Sequence, residues 1–570
     1  MSLLAERSEA SQALTARRVH LAAEVLGSRA MANRPFTFAD TFEVVADTVP
    51  DQTAIVTEDR RLTYAEVDER ATRLAHVLAE RGIGAGDHVG LFLYNGTEYI
   101  EAMLAAWKIR AVPINVNYRY VEEELVYLFD DAELTAVIHH QEFTPTLAAV
   151  VDQVPGVHTF LYVADGSGVE MAGLPTEDYE TALAAASTER DFPERSGDDL
   201  YILYTGGTTG MPKGVMWRQE DIFFAAMDLS AMGLAEPPAA PEDLAARVEE
   251  SAGTLTMATA APLMHGAAQW AAFICFHQGN TLVLAASRKF DPAGIWRMVE
   301  QEKVTTMTVV GDAMARPLAD ELLANPDKYD LSSFFALGSG GAILSAGVKE
   351  QFTRARPDLI ITDAFGASET GANGGGVGSS DEGHPRFAVN DSTAVLDENH
   401  RPVEPGSGVK GMLARTGRIP IGYYKDEEKT ARTFVHDADG RRWVIPGDFA
   451  AVEADGTITL FGRGSVSINS GGEKIFPEEV EAALKSHPAV FDAIVVGVPD
   501  ERFGQRVAAV VAPRPGTTPS LEELADHART KIAGYKVPRQ LHLVDTVTRS
   551  PSGKADYRWA KSVATGESVG

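Results

Sequence analysis

From Phe36 onward the chain alternates short apolar runs with stretches in which apolar residues recur every three or four positions. Runs over 53–56 and 61–64 flank a polar turn, the pattern of a strand pair. Val67, Ala71, Leu74, Val77 and Leu78 then share one face of a helix. A strand over 88–93, a helix over 98–109 and a strand over 112–116 follow. Repeated strand–helix–strand order predicts a mostly parallel sheet covered by helices, and the alternation returns after Asp199 and through 291–337. The Pro-, Ala- and Glu-rich stretch 233–254 predicts a surface insertion with one helix. Near Gly462 the texture changes: a helix opening at Pro477, strands over 493–498 and 507–512, a helix over 521–533 and a strand over 541–544. These predict a large α/β domain over 36–462, a small α+β domain over 463–560, an N-terminal extension over 1–35 and a tail over 561–570.

Composition narrows the classes. With 45% hydrophobic and 23% charged residues, the 570-residue chain has the makeup of several packed units. A net charge of -30 disfavours nucleic acid and anionic membranes as general partners. Cys275 is the single cysteine, which excludes an intrachain disulfide and a cysteine metal cluster and fits a reducing cytoplasm. The first thirty residues mix charges every few positions and have no apolar core of secretory length, so they read as an extension dispensable for catalysis. The most apolar stretch, 257–276, is broken by Pro262, His265, Gly266 and Gln269; it predicts buried core and no stable membrane insertion.

The sharpest segment is Tyr204-Thr205-Gly206-Gly207-Thr208-Thr209-Gly210-Met211-Pro212-Lys213-Gly214. An apolar strand over 200–203 enters a loop of glycines and threonines closed by a lysine. Glycines let backbone N–H groups approach phosphate oxygens, hydroxyls add donors and the lysine adds charge. It is not a Walker A loop, because Pro212 precedes Lys213 and Gly214 follows it. Nor is Gly338-Ser339-Gly340-Gly341 a dinucleotide fingerprint, since Ile343 occupies the last glycine position.

This loop resembles the phosphate loop of the adenylate-forming superfamily, and further motifs follow in that superfamily's order. Gly340-Gly341-Ala342 resembles the strip lining the adenine. Asp363-Ala364-Phe365-Gly366-Ala367-Ser368-Glu369-Thr370 resembles the aromatic-Gly-x-Thr-Glu motif, with Phe for Tyr and Ser for Thr. Pro446-Gly447-Asp448, Phe461-Gly462-Arg463 and Arg549-Ser550-Pro551-Ser552-Gly553-Lys554 resemble the ribose-binding, hinge and catalytic-lysine segments. The resemblance spans residues about 36 to 560. It implies ATP, Mg2+ and coenzyme A as the small molecules bound, parallel sheets joined by a small β subdomain, and a mobile C-terminal domain. Homodimers are common among such relatives.

The resemblance also implies roles. Phe365 stacks on adenine, Asp448 takes both ribose hydroxyls beside Arg463, and Glu369 is a hard oxygen ligand for magnesium. Each has a plainer reading: core ring, turn residue, solvated carboxylate. Catalysis falls to Lys554, Glu369, Thr208 and His265, the last in a Pro-Leu-x-His segment beside the acyl pocket or else a hydrogen-bonded core histidine. For the thiol step the C-terminal domain swaps Lys554 for a face bearing Gly472 and Lys474. Ser465 stands where Asp or Lys is usual at the hinge.

A narrower resemblance, to steroid side-chain carboxylate–CoA ligases, rests on Lys213-Gly214-Val215-Met216-Trp217-Arg218, on Gly311-Asp312-Ala313-Met314-Ala315-Arg316-Pro317-Leu318 and on the segment from Gly462 to Lys474. It implies a steroid or other bulky or long-chain acid. Trp270, Phe273, Val309 and Met314 then line an apolar tunnel or are simple core. Gly371, Gly374, Gly375, Gly376 and Gly378 widen a pocket or form a mobile loop. The alternative function is an acyl-AMP ligase loading a carrier protein.

Overall fold

The computed structural model describes residues 35–207, 210–342, 344–379, 384–470, 473–500, 503–550 and 553–566. Residues 1–34 of the predicted N-terminal extension, Thr208, Thr209 and Gly472 lie outside them, as do the side chains of Arg463 and Lys474.

Two parallel sheets form the large domain. One holds Val112–Asn115, His88–Phe92, Leu134–His140, Thr159–Val163 and Thr176–Asp178 in that order, all parallel. The other sets Thr53–Val56, Thr281–Leu284, Thr256–Thr259, Thr306–Val309, Ala336–Ser339 and Ile360–Ala367 side by side, again parallel. Strands buried on both faces read as continuous apolar runs, as His88–Phe92 does. The helix predicted around Val67 runs Tyr64–Glu80 and opens on a Thr63–Glu66 capping box. Its five apolar residues are all buried in the main core, with Trp107 and Phe276.

Beyond Ile360–Ala367 the sheet turns antiparallel, through Gly371–Ser379, Pro385–Val389, Ile458–Arg463, Asp448–Val452 and Lys410–Thr416. This is the small β subdomain. The glycine series is therefore a strand and not a mobile loop, for a steric reason. A Cβ on Gly374 would stand 2.0 Å from the Ala388 carbonyl oxygen, and one on Gly376 would stand 2.8 Å from the Asp363 Cβ. Most of these glycines allow strands and neighbours to approach closely.

In the C-terminal domain, Val490–Asp500 and Gly504–Pro513 pair antiparallel, and Gln540–Leu543 adds in parallel. The helices Pro477–Lys485 and Leu521–Arg529 cover one face with Val480, Leu484, Leu524 and Ala528. A further helix, Tyr557–Thr565, covers the other face, burying Ala560 and Ala564 against Ile494, Val496 and Val510. It crosses into the segment expected to be tail, because its burial, with Tyr557, Trp559 and Val563 packing beside the two alanines, depends on the far face of the sheet. Among the described residues no helix is long and apolar enough to cross a membrane.

Candidate active site

The phosphate-loop segment folds as a hairpin, where a strand entering a longer loop was expected. Leu200–Gly207 pairs antiparallel with Gly210–Arg218, Thr205 opposite Lys213 and Gly207 opposite Gly210. Glycines on both sides of the tip let the strands continue almost to the reversal. Lys213 Nζ donates to Asp131 Oδ1 at 3.2 Å and lies 5.5 Å from the Tyr127 ring centroid. Tyr204 Oη donates to the other Asp131 oxygen at 2.9 Å.

Two asparagines hold the segment before His265, and one of them, Asn115, also ties it to this hairpin. Asn115 Nδ2 donates to the carbonyls of Tyr204 and Met264, both at 2.8 Å, and its Oδ1 accepts the Tyr204 N–H at 2.8 Å. Asn95 Nδ2 donates to the carbonyls of Ala261 and Ala285 at 3.1 and 3.2 Å, and its Oδ1 accepts the Leu263 N–H at 2.7 Å. Neither belongs to a recognised motif. The signal for Asn115 was a polar residue ending a buried apolar strand, a place where an amide must find partners.

The Asp363–Thr370 segment ends the last parallel strand and turns into the glycine strand. Asp363 is salt-bridged to Lys349. Phe365 is 9% exposed and packs on Phe387 at 4.7 Å between centroids, within the β subdomain's own core. Most of its ring is structural, which narrows the aromatic surface left for an adenine. Gly366 is required where it stands: a Cβ there would lie 2.2 Å from the Gly371 carbonyl oxygen. The Trp217 indole N–H donates to the Ser368 carbonyl at 2.9 Å, and Tyr423 Oη donates to Glu369 Oε1 at 2.8 Å. One Glu369 oxygen is thereby held while the carboxylate stays only partly buried. Gly340 and Gly341 follow the strand Ala336–Ser339, with Gly341 in the left-handed region at φ 79°. Asp448 begins its strand directly opposite Arg463.

Lys554 and His265, 289 positions apart in the sequence, are brought together. The Lys554 turn is clamped from behind by Arg549. Its Nε and Nη2 each donate to Asp492 at 2.7 Å, and its Nη1 donates to the Gly553 carbonyl at 3.0 Å. Gly553 has φ 71°, and a Cβ on it would stand 3.2 Å from the Val310 carbonyl oxygen, so the turn rests on the start of the helix Gly311–Ala324. His265 precedes the helix Gly266–Phe276, and its Nε2 is buried without a hydrogen-bond partner. Burial, reinforced by the nearby charges of Lys554 and Arg119, pushes its pKa down to about 3. It is thus a neutral imidazole beside a lysine cation. A buried polar atom without a partner costs about 1–3 kcal/mol, so the core-histidine reading leaves a deficit that a bound ligand atom would remove.

A cavity of about 480 Å3 lies between the large domain and the Lys554 turn, lined by Tyr94, Tyr118, Arg119, Pro262, Met314 and Gly553 among others. Of the four tunnel candidates only Met314 lines it. Phe273 and Val309 are fully buried core, and Trp270 packs against that core.

The order of these parts along the chain matches one family throughout. The profile described as AMP-binding enzyme covers residues 42–424, and that of the AMP-binding enzyme C-terminal domain covers 479–554. The chain belongs to the AMP-binding enzymes. Two relatives are similar to this AMP-binding enzyme over 92% of its length. The 3-oxocholest-4-en-26-oate–CoA ligase of Rhodococcus rhodochrous is 50% identical over 95% of its own length. A medium/long-chain-fatty-acid–CoA/3-oxocholest-4-en-26-oate–CoA ligase of Mycobacterium marinum is 51% identical over 96%. The crystal structure of the anthranilate CoA ligase AuaEII with anthranoyl-AMP superposes with a TM-score of 0.79 at 22% identity, covering 93% of this chain and 97% of that one, which shows the fold. The AMP-binding enzyme described here is an AMP-forming acid–CoA ligase that uses ATP and CoA.

Proposed function

We propose that this ligase activates a steroid side-chain carboxylate or a medium- to long-chain fatty acid. The relatives named for those acids, at about half identity over nine-tenths of the chain, support the substrate class. The observation that carries the site is Lys554 close to the buried His265, whose Nε2 has no hydrogen-bond partner.

In the first half-reaction a carboxylate oxygen bonds to the α-phosphorus of ATP and the bond to pyrophosphate breaks. Two anions must meet, so positioning and charge neutralisation carry the catalysis. Lys554 neutralises the carboxyl and α-phosphate oxygens, and Lys213 holds the outer phosphates after leaving Asp131. His265, neutral at its depressed pKa, donates or accepts one hydrogen bond to the acyl end without adding charge. Thr205, Gly206, Gly207, Thr208, Thr209 and Gly210 surround the phosphates. Gly340, Gly341, Asp363, Phe365, Gly366 and Ser368 flank the adenine, and Asp448 with Arg463 takes the ribose. Glu369 fits a magnesium ion that would be bound with the nucleotide: its carboxylate is oriented by Tyr423 and stays only partly buried. Such an ion supplies further charge neutralisation. In the second half-reaction the CoA sulfur bonds to the acyl carbon and AMP leaves, with Gly472 and Lys474 lining the thiol's approach.

Domain bounds of 36–462 and 463–560 are supported by family matches over 42–424 and 479–554 that fall inside them, and the buried single cysteine, Cys275, is in keeping with a cytoplasmic setting. Sedimentation of the purified chain tests the homodimer. The carrier-loading alternative is disfavoured by relatives named as CoA ligases.

The deciding experiment supplies ATP, magnesium and CoA with either a steroid bearing an oxidised side chain or palmitate, and follows AMP and thioester by mass spectrometry. We expect a CoA thioester with one or both acids. Acyl-adenylate without thioester would favour carrier loading, and no AMP with either acid would sink the substrate class.

A further inference from the structure

The helix Gly311–Ala324 carries Asp312, Arg316 and Asp320 at intervals of four, hence along one face. Asp312 is 6% and Arg316 4% exposed, a burial that ionic side chains tolerate only when paired. Asp312 Oδ1 accepts the Ser345 N–H at 2.7 Å. Its Oδ2 lies 3.0 Å from Arg316 Nη2 and 3.4 Å from Nζ of Lys485, the last residue of the C-terminal domain's first helix. Burial pushes the Asp312 carboxyl up, but Lys485 and Arg316 outweigh it and hold the pKa below its ordinary value. Two turns further on, Asp320 Oδ2 meets Arg514 of the C-terminal domain at 3.2 Å.

The Asp312 end continues to the catalytic turn. Lys485 also acts electrostatically on Glu481 and Asp492, and Asp492 holds Arg549 by two 2.7 Å hydrogen bonds. Arg549 in turn holds the Gly553 carbonyl, one residue before Lys554. Gly553 rests on Val310 and Ala313, at the same helix end that carries Asp312.

We propose that Asp312 and Lys485 are positioning residues: their buried ion pair docks the C-terminal domain with Lys554 at the acyl site and parts when that domain leaves for the thiol step. This rests on the reading that Lys554 serves the first half-reaction. The physics suits a contact made and broken each turnover. The attraction in a buried pair is largely cancelled by the dehydration of its ions, and separation into water returns their hydration. An apolar contact of equal area would hold the domain without that compensation.

The test separates the half-reactions. Lys485→Met leaves Asp312 paired with Arg316, so the large domain keeps its internal ion pair; Asp312→Asn probes the other partner. With an acid the wild type accepts, hydroxylamine trapping measures adenylate formation, and supplied acyl-adenylate plus CoA measures the thiol step. Displacing Lys554 by about 1 Å is expected to slow adenylation about 10–100-fold, with the thiol step retained or faster and with Lys485→Arg recovering most of the loss. Hydrogen exchange in the ligand-free protein should quicken across 549–556 in Lys485→Met. Equal loss in both half-reactions, or unchanged adenylation with unchanged exchange, overturns the proposal. A wild type that forms no adenylate while exchange still quickens would instead indict the assignment of the reaction.

Discussion

Lys554 and Lys108 show how one residue type takes opposite duties. Lys554 is exposed on a glycine-bearing turn, with its ammonium close enough to His265 to depress the imidazole. Lys554→Ala should lower adenylate formation about 100–1,000-fold and spare thioester formation from supplied adenylate. Lys554→Arg should rescue poorly, because a planar fork does not replace a compact ammonium. Both are read by pyrophosphate release against thioester yield. Lys108 is fully buried, donating to Glu43 at 2.5 Å and to Asp68 at 2.8 Å. Burial raises the Glu43 carboxyl, yet Lys108 and Arg195 bring it down to about 2. Removing Lys108 takes one cation from two buried carboxylates that keep Arg195 and Arg190, so Lys108→Met should cost about 1–3 kcal/mol, seen as a lowered urea midpoint for the large domain. The sequence marked Lys554 through its Ser-Pro-Ser-Gly-Lys setting. It was silent on Lys108, whose partners lie 65 and 40 positions away.

Among elements, those whose pattern follows from their own residues were legible, while those decided by a neighbour were not. The helix Tyr64–Glu80 contains all five face residues predicted for it, and the strand His88–Phe92 ends within a residue of its predicted bound, because an amphipathic period and a β-rich apolar run are local. The far half of the hairpin Leu200–Gly207 and Gly210–Arg218 read as a loop, and the glycines of Gly371–Ser379 as a widened pocket or a mobile loop, because glycine-rich sequence signals a turn unless a partner strand is known. The helix after Tyr557 escaped notice because its burial depends on the far face of the C-terminal sheet. Of the site, the phosphate hairpin, Glu369 and Lys554 were legible through motif order. Asn95, Asn115 and Arg119 were not, since each acts through contacts distant in sequence. The glycine strand gives a sharp test. Gly374→Ala forces a Cβ to within 2.0 Å of the Ala388 carbonyl oxygen, so it should break that register and weaken nucleotide binding. Gly375→Ala, with nothing within 4 Å of its Cβ, should leave both intact by thermal shift with and without AMP.

For the molecule as a whole, acid should act through buried imidazoles before it acts through the -30 net charge. His139 and His277 are buried, and burial pushes each from 6.5 down to about 4, while His265 falls to about 3. These groups stay neutral when folded and become protonated when unfolded, so between pH 6.5 and about 4 the unfolded chain binds more protons. Stability must then fall as the pH drops, by about 1.4 kcal/mol per pH unit for each such histidine once below 6.5. The acidic surface works the other way, since protonating carboxylates relieves self-repulsion. That relief belongs to pH values near ordinary carboxylate pKa values of about 4, so from pH 6.5 to 5.5 the imidazoles dominate. Urea midpoints across that unit should decline, and His277→Gln should flatten the slope by about one proton while keeping hydrogen-bonding capacity toward Met227 and Thr41. Repeating the series at about 0.5 M salt, where the Debye length is well under 10 Å, distinguishes the causes: a surface-charge effect would shrink, whereas the cost of charging a buried ring would persist. A slope that vanishes in salt, or that His277→Gln leaves unchanged, would rule out the imidazole account.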